Sequence, residues 1–316
     1  MEKRKFSTSI TLLMDLSKAF DTINHELLIA KLSAYGFDYN ALKIILDYLS
    51  NRWQRTKINN SFSTWAELLT GVPQGSVLGP LLFNLYLNDI FLNIKCSHPC
   101  NFADDTTLIT FDRSIENLIH DLEDDALTVT IWFRNNFMKL NEEKCLFLFS
   151  GLATEHTWVR VGNAMIWESS QEKLLGVNID KNLDFNSHLK MICTKANQKV
   201  TILSRLANML TVSKKRVIFK AFIESQFSYC PLVWMFCSRK MNAKINHIHE
   251  RALRIVYNDY SSTFEDLLVK DKSVTIHHRN IRLVAIEMFK FLNGLLPSFM
   301  QDIFKIEEKI KIKQTI

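Results

Sequence analysis

Two adjacent carboxylates lie in the middle of an otherwise strand-like stretch. Residues 100–111 read CNFADDTTLITF, and Asp104 and Asp105 fall where a hairpin turn is expected. Two like charges in a tight turn repel each other, and a bound divalent cation would remove that cost. A solvated turn is the alternative explanation, because Asp is common in turns.

A third carboxylate, Asp15, ends the short β-rich run SITLLMD. Phosphoryl transfer with two metal ions needs oxygen ligands that hold the ions roughly 3.5 to 4 Å apart, and Mg²⁺ prefers carboxylates for this task. If the strand that ends at Asp15 lies beside the hairpin that carries Asp104, both carboxylates could bind the same pair of ions. The spacing therefore suits a two-metal site.

Hydrophobic periodicity and turn residues predict the elements around these carboxylates. Two hairpins are expected, one turning at Asn59 and Asn60 and one at Gly162 and Asn163. Single strands are expected at 145–149 and in KLLGVNID. The predicted helices cover residues 24–35, 40–53, 80–90, a long segment capped by Ser114, 187–206, 213–226, 242–257 and 273–293.

Composition and charge both change near residue 185. Residues 1–184 contain 17 basic and 23 acidic side chains, whereas residues 185–316 contain 22 and 10. The first part mixes strands with helices and the second is helical, so we expect an α+β domain at 1–184 and an all-helical domain at 185–316. A basic domain beside an acidic metal site suits binding of nucleic-acid phosphates, although Lys-rich solvated helices would give the same counts.

Two classes of protein are disfavoured. No apolar run reaches the roughly 20 residues of a membrane span, and Asp15 interrupts the N-terminal apolar segment too early for a signal peptide. We therefore expect an intracellular chain, in the nucleus or the cytoplasm, with its six cysteines as free thiols. The segment CSHPC offers Cys96, His98 and Cys100 to zinc, but no second ligand pair lies nearby and an ordinary loop is favoured.

Several ordered motifs resemble those of the reverse transcriptases of non-long-terminal-repeat retrotransposons, the jockey-like long interspersed elements. LLMDLSKAFDTINHELL is similar to the first catalytic motif, GVPQGSVLGPLLFNLYLND to the second and FADDT to the third. LNEEKC and KLLGVNID are similar to the two motifs that follow. The resemblance covers residues from about 10 to 300. It implies a polymerase palm, an antiparallel sheet with packed helices, followed by a helical thumb.

The resemblance also implies roles for the carboxylates and for one lysine. Asp15, Asp104 and Asp105 become the catalytic carboxylates that bind two Mg²⁺ ions, with Asp15 and Asp104 as the principal ligands. Lys144 lies near the triphosphate and helps to neutralise or protonate the leaving pyrophosphate. A plain surface lysine is the alternative for Lys144.

Nucleotide recognition is assigned to two other places. Phe20 matches the sugar gate, whose ring occupies the space of a ribose 2′-hydroxyl and so favours deoxynucleotides. Gln74 and Gly75 match the loop beside the incoming nucleotide and the template. The alternatives are a core aromatic for Phe20 and a ligand-free Gly and Pro loop for the other two. Asp21 is expected to start a turn or helix and is left outside the site.

The expected function is RNA-directed DNA polymerisation. The chain would extend a DNA primer on an RNA template with deoxynucleoside triphosphates, and the basic cluster Lys214, Lys215 and Arg216 would help a thumb to clamp the duplex. Nothing in the sequence resembles an endonuclease, and only 14 residues precede Asp15 where the family has a fingers region. The chain therefore looks like a truncated piece of a polyprotein. One alternative is an inactive relic that only binds nucleic acid, and another, disfavoured by Phe20, is an RNA-dependent RNA polymerase.

Overall fold

The protein divides into two compact units. A computed structural model describes residues 8–112, 114–150 and 157–297. The first unit, called the sheet unit, comprises Met1–Leu174 and Ile179–Leu183. The second, called the helical unit, comprises Leu175–Asn178 and Asp184–Ile316. The mixture of a sheet core with helices confirms the α+β prediction.

The strands, all before the long helices of the second unit, are mostly short. They are β1 (Thr8–Met14), β2 (Leu16–Ser17), β3 (Trp53–Gln54), β4 (Lys57–Ile58), β5 (Ser61–Phe62), β6 (Ala66–Glu67), β7 (His98–Phe102), β8 (Asp105–Asp112), β9 (Lys139–Leu140), β10 (Leu146–Ser150), β11 (Trp158–Val161), β12 (Ala164–Ser169), β13 (Gln171–Leu174) and β14 (Val177–Asp180). The helices of the sheet unit are α1 (His25–Ala34), α2 (Tyr39–Leu49), α3 (Leu78–Leu87) and α4 (Ile115–Asn135).

Strand β1 is central in the six-stranded sheet, whose order is β11-β12-β10-β1-β8-β7. It pairs antiparallel with β10 on one side and with β8 on the other. Every second residue of β1 is buried, and Ile10, Leu12 and Met14 face the core. Because side chains alternate along a strand, Asp15 belongs to the opposite set and avoids the core.

Helices α1, α3 and α4 pack their apolar side chains into the same core as this face of the sheet. Helix α4 also positions the segment that leads into β7. The buried carboxylate of Asp125 on this helix accepts hydrogen bonds from the backbone N–H groups of residues 95, 96 and 97. Burial opposes the charge of Asp125, but these hydrogen bonds prevail and lower its pKa. The hairpin of β7 and β8 is thereby fixed relative to α4.

Local turn chemistry explains which sequence predictions hold. The hairpins at Asn59–Asn60 and at Gly162–Asn163 are confirmed. Helix α2 ends at Leu49, earlier than predicted, since Ser50 is extended and Asn51 takes a left-handed φ of 55°. KLLGVNID is a hairpin rather than a single strand, because Leu175 and Gly176 both have positive φ and turn the chain between β13 and β14.

The helical unit contains α5 (Asn186–Leu206), α6 (Val212–Ile218), α7 (Pro231–Trp234), α8 (Arg239–Tyr257), α9 (Phe264–Asp271) and α10 (Ile276–Leu292). The prediction over 213–226 holds only in outline, since α6 passes into a π-helical and then a 3₁₀ segment. Helix α8 begins three residues before the predicted start, where Ser238 caps it. Helices α7 and α9 were not predicted.

No described helix is long and apolar enough to cross a membrane. All six cysteines lie in described positions and are free, as predicted. His98 and Cys100, considered above as zinc ligands, lie in the edge strand β7 rather than in a loop.

His249 makes the helical unit sensitive to acid. Its ring is buried between Phe219 and Phe264, and neither ring nitrogen has a hydrogen-bond partner. Burial lowers its pKa to about 4; the charge of Asp271 opposes this shift and that of Arg279 adds to it. The unfolded chain, with a His pKa near 6.5, thus binds the proton more readily than the folded one.

We expect the resulting stability to be complete above about pH 6.5 and to fall by about 3 kcal/mol as the pH drops to about 4. Urea unfolding at several pH values, on the parent and on His249→Phe, measures this contribution. The variant keeps an aromatic ring in the same place but cannot titrate, so its pH profile should be flatter by that amount. Identical profiles would show that His249 is protonated equally in both states.

Candidate active site

Asp15 lies where the chain leaves β1 and enters β2. Its backbone carbonyl accepts from Asn141 N–H at 2.9 Å, and Leu16 pairs with Leu140 in the neighbouring β9. Its side-chain atom Oδ2 is buried and has no hydrogen-bond partner. An acceptor left in this condition is costly unless a cation or donor satisfies it.

Asp104 and Asp105 lie at the end of the hairpin formed by β7 and β8, as predicted. Phe102 pairs with Asp105, so Ala103 and Asp104 form a two-residue turn in which Ala103 has a φ of 54°. Met14 pairs with Thr106. The antiparallel register therefore carries Asp15 toward the start of β8, where Asp105 stands.

The three carboxylates interact electrostatically. Desolvation raises the pKa of Asp105, and the charges of Asp104 and then Asp15 raise it further. Sequence spacing had suggested this meeting of Asp15 with the hairpin, and the structure brings the residues together. The result is a cluster of like charges in which one buried carboxylate oxygen, Oδ2 of Asp15, accepts no hydrogen bond.

Such a cluster fits a divalent cation. The described residues contain no group of three or more His, Cys, Asp or Glu side chains already arranged to hold a metal. Mg²⁺ commonly takes only one or two protein carboxylates and completes its octahedron with water and substrate phosphates. Oδ2 of Asp15 accepts no hydrogen bond and has the Lys144 ammonium 3.7 Å away, and the neighbouring charges raise the pKa of Asp105, so both features favour positive charge here.

The loop of Gly71 to Gly75 is fastened to the segment just after β2. The peptide of Gly71 donates to the carbonyl of Ile23 at 2.8 Å, and Val72 N–H donates to the carbonyl of Phe20 at 2.9 Å. Gly71 has a φ of 85°, and a Cβ there would lie 2.7 Å from the Cα of Asp21. Only glycine permits this approach.

Asp21, excluded from the site by sequence reasoning, is bound to the same loop. Its backbone carbonyl accepts from the Thr70 hydroxyl, and its carboxylate accepts from the side-chain amide of Gln74, both at 2.9 Å. Gln74 is exposed, and Gly75 has a φ of 81° with open space beside it. The Asp21 contact orients the amide of Gln74. In the sequence, the position of Asp21 six residues after Asp15 was the feature that could have placed it in the site.

A cavity of about 750 Å³ lies beside this loop. Its lining includes Lys18, Asp21, Arg52, Gln54 and Gln74. The charged and amide side chains of this cavity suit a polar ligand, and the loop contributes to one of its sides.

The ring of Phe20 contacts both the apolar core and a cavity. Its ring stacks on Phe83 with the centroids 4.3 Å apart, and it packs against the core. It also lines a second cavity, of about 420 Å³, together with Asn84, Asn101 and Ala103. Since Ala103 directly precedes Asp104, this cavity adjoins the carboxylate hairpin. Phe20 thus borders open space near the carboxylates as well as contributing to packing.

Comparison with known proteins decides the family. Residues 2–179, more than half of the chain, match the model of the family described as reverse transcriptase (RNA-dependent DNA polymerase). The chain belongs to the reverse transcriptase family.

The curated relatives that this chain matches come from mobile elements, as the sequence motifs predicted. The probable RNA-directed DNA polymerase from transposon BS of Drosophila melanogaster is 25% identical over 256 residues, which cover 77% of this chain and 28% of the relative. The RNA-directed DNA polymerase from mobile element jockey of the same species is 25% identical over 265 residues, 80% of this chain and 29% of the relative. The chain thus spans less than a third of the length of either relative.

Among solved structures, apo telomerase from Candida tropicalis aligns with a TM-score of 0.43 at 12% identity, over 90% of this chain and 52% of that chain.

Lys144 lies beside the carboxylates. It ends the 3₁₀ segment Glu142–Lys144, and its Nζ is 3.7 Å from Oδ2 of Asp15. The side chain is mostly exposed, so it can reach solvent as well as Asp15. The neighbouring thiol of Cys145 is buried, and burial raises its pKa to about 11, so it stays protonated and unreactive at neutral pH.

The basic cluster of the helical unit does not form the surface that the sequence suggested. Lys214 is exposed, but Lys215 is buried and donates to the backbone carbonyl of Ile255 at 2.9 Å. Arg216 pairs with the buried Asp271, with Nε 2.6 Å from Oδ1. The expectation that all three clamp a duplex is wrong, because two of them hold the interior of their own unit together.

Proposed function

We propose that this chain is the catalytic part of an RNA-directed DNA polymerase, which adds deoxynucleotides to a DNA 3′-end on an RNA template. The observation that carries the proposal is the cluster of Asp15, Asp104 and Asp105 at adjoining strand ends in a reverse transcriptase. In this view the sheet unit is the palm and residues 185–316 belong to the thumb and C-terminal region. The nucleic acid and the nucleotides are proposed partners.

Asp15 and Asp104 would hold two Mg²⁺ ions, with Asp105 as the neighbouring carboxylate. When bound, the ions would activate the attacking 3′-hydroxyl and take up negative charge on the leaving pyrophosphate. The protein contributes rigidity, since β1 and β8 are paired up to Met14 and Thr106. Carboxylates on paired strands need little reorganisation to reach a fixed geometry.

Lys144 would act on the phosphate side. Its ammonium lies 3.7 Å from Oδ2 of Asp15, on a side chain long and exposed enough to move to a bound triphosphate. There it would neutralise, or donate a proton to, the departing pyrophosphate. Without substrate, its contact with Asp15 offsets part of the repulsion among the carboxylates.

Gln74 and Gly75 would contact the incoming nucleotide and the template. The hydrogen bond from Gln74 to Asp21 fixes the amide plane before substrate arrives, which lowers the entropic cost of binding. Gly75 leaves open space where a base or sugar could approach the backbone closely. Asp21 is therefore added to the proposed site as a positioning residue.

Primer extension tests the proposal. The chain, or the chain fused to a fingers segment, is incubated with a DNA primer annealed to RNA, deoxynucleoside triphosphates and Mg²⁺. Template-dependent elongation that stops on chelation of the metal is expected. Absence of elongation by both forms, on RNA and on DNA templates, would contradict the proposal.

Phe20→Val should relax the choice of sugar. Removal of the ring opens space beside the hairpin, so incorporation of ribonucleotides relative to deoxynucleotides should rise by at least about tenfold. The ratio is measured by competition between the two triphosphates in the extension assay. Phe91→Val is the matched control, because Phe91 lines the same cavity outside the motif. An unchanged ratio in Phe20→Val would mean that the ring serves only its stack on Phe83.

A further inference from the structure

An arm with exposed aromatic rings projects from the sheet unit between α2 and α3. This aromatic arm comprises residues 53–67, all of them exposed. Its rings are Trp53, Phe62 and Trp65, which are 56%, 49% and 57% exposed. Three large exposed rings in one short segment are a feature of interaction sites.

The arm is an ordered double-stranded element. Trp53 pairs with Glu67 and Lys57 with Phe62 in two successive ladders. Between the ladders, Ser63 N–H donates to the carbonyl of Thr56 at 2.9 Å. The rings are therefore displayed on a defined scaffold, and their exposure does not come from loose chain.

Cationic side chains are interleaved with the rings. The Arg55 guanidinium lies 4.0 Å from the ring centroid of Phe62 and 4.6 Å from that of Trp65. The ammonium of Lys57 lies 5.3 Å from the centroid of Phe62. Each of these rings is about half exposed, so a surface remains for a further planar group beside the cation.

Rings and cations in alternation match the chemistry of a single nucleic-acid strand. Bases stack on aromatic faces with little regard to sequence, while Arg and Lys neutralise the phosphates. In a duplex the base faces are already stacked on one another and cannot reach these rings. The surface therefore fits an unpaired strand better than a double helix.

The base of the arm adjoins the proposed nucleotide site. Gln54 and Glu67, at the two ends of the arm, line the same 750 Å³ cavity as Asp21 and Gln74. Arg52, which directly precedes the arm, lines it as well. A strand that passes the Gln74 loop can thus continue onto the arm.

We propose that the aromatic arm binds the single-stranded template RNA next to the Gln74 loop, by stacking bases on Phe62 and Trp65. This inference rests on the proposed function, because it gives that function a track for the unpaired template. Stacking would hold the template in place while base pairing at the active site reads it.

Binding of labelled oligonucleotides to the full chain tests the arm. The variants are Phe62→Ala with Trp65→Ala, Lys57→Gln, and Trp167→Ala as a matched control, since Trp167 is 60% exposed on β12 of the same unit. Single-stranded RNA, single-stranded DNA and a blunt duplex serve as probes over a range of salt concentrations. Thermal unfolding of each variant verifies that its fold is retained.

The double variant should bind single-stranded RNA at least about tenfold more weakly, with duplex binding changed less than about twofold. Lys57→Gln should flatten the salt slope by about 0.7, and Trp167→Ala should match the parent. As a measurement free of mutation, 5-iodouridine in the RNA should photo-cross-link to residues 53–67 of the parent.

Three results would contradict the proposal that the aromatic arm binds single-stranded template RNA. These are equal binding by the double variant and the parent, a loss that is as large for duplex, or a loss confined to single-stranded DNA. Weaker binding of both single strands, or of RNA alone, supports the proposal. If the parent extends a primer on RNA but the double variant binds single-stranded RNA as tightly as the parent, the proposal for the arm is wrong and the proposed function stands. If the parent neither binds single strands nor extends a primer, both the proposed function and the proposal for the arm are wrong.

Discussion

Replacement of Asp104 by Asn should lower primer extension by at least about a hundredfold without loss of the fold. The amide keeps the size of the side chain, so the two-residue turn of Ala103 and Asp104 is undisturbed. It removes the negative charge that a bound cation needs. It also removes a like charge that raises the pKa of Asp105, so the metal-free variant should be as stable as the parent or slightly more so.

The measurement pairs extension rates with thermal unfolding in metal-free buffer. Asp47→Asn is a suitable control, because Asp47 is an exposed carboxylate on α2 outside the cluster. It should leave both extension and stability unchanged. Normal extension by Asp104→Asn would remove Asp104 from the metal site, and a large drop in its melting temperature would instead assign it a structural role.

Replacement of Arg216 by Gln should destabilise the helical unit by about 3 kcal/mol. The side chain of Asp271 is 0% exposed, and it accepts from Arg216 Nε at 2.6 Å and from the Tyr257 hydroxyl at 2.7 Å. Burial alone would raise the pKa of Asp271, but the bonds from Arg216 and Tyr257 hold it below the usual range. Loss of the guanidinium leaves a buried carboxylate short of its cation.

Equilibrium unfolding in urea, followed by circular dichroism, measures this loss. Lys214→Gln is the natural control, because Lys214 is two residues away and exposed, and its effect should stay below about 0.5 kcal/mol. If the two variants are equally stable, the ion pair with Asp271 contributes little in solution. Joint neutralisation of Lys214, Lys215 and Arg216 would confuse lost binding with lost folding and is therefore a poor test of nucleic-acid contacts.

Turns and caps were the features best predicted from sequence. Asn59–Asn60 and Gly162–Asn163 are hairpin turns because their residue types favour positive φ without help from the rest of the protein. The errors arose where one unusual residue decides the backbone. Leu175 adopts a positive φ that its side chain disfavours, so Gly176 was the only residue of this turn whose type favours the observed backbone.

Sequence reasoning predicted that Asp15 lies near the Asp104 hairpin, but it did not predict the side-chain contacts around them. Motif order and spacing placed Asp15 with the Asp104 hairpin, and antiparallel pairing of β1 with β8 brings them together. The hydrogen bond from Gln74 to Asp21 joins residues 53 positions apart and leaves no periodic trace in the sequence. The burial of Lys215 was equally invisible, since a run of charged letters does not show which side chain turns inward.

Because β1 is central in the sheet, the number of residues between Thr8 and Asp15 matters more for the position of Asp15 than which apolar residues they are. Both edges of the strand are bonded, so a slipped register cannot be absorbed at a free edge. Loss of one codon between Thr8 and Asp15 would turn the carboxylate toward the apolar interior and Met14 away from it. An exchange of Ile for Leu or Val in the same segment would cost far less. When degraded copies of such a sequence are compared, a one-residue deletion here should mark an inactive copy even where every catalytic letter survives.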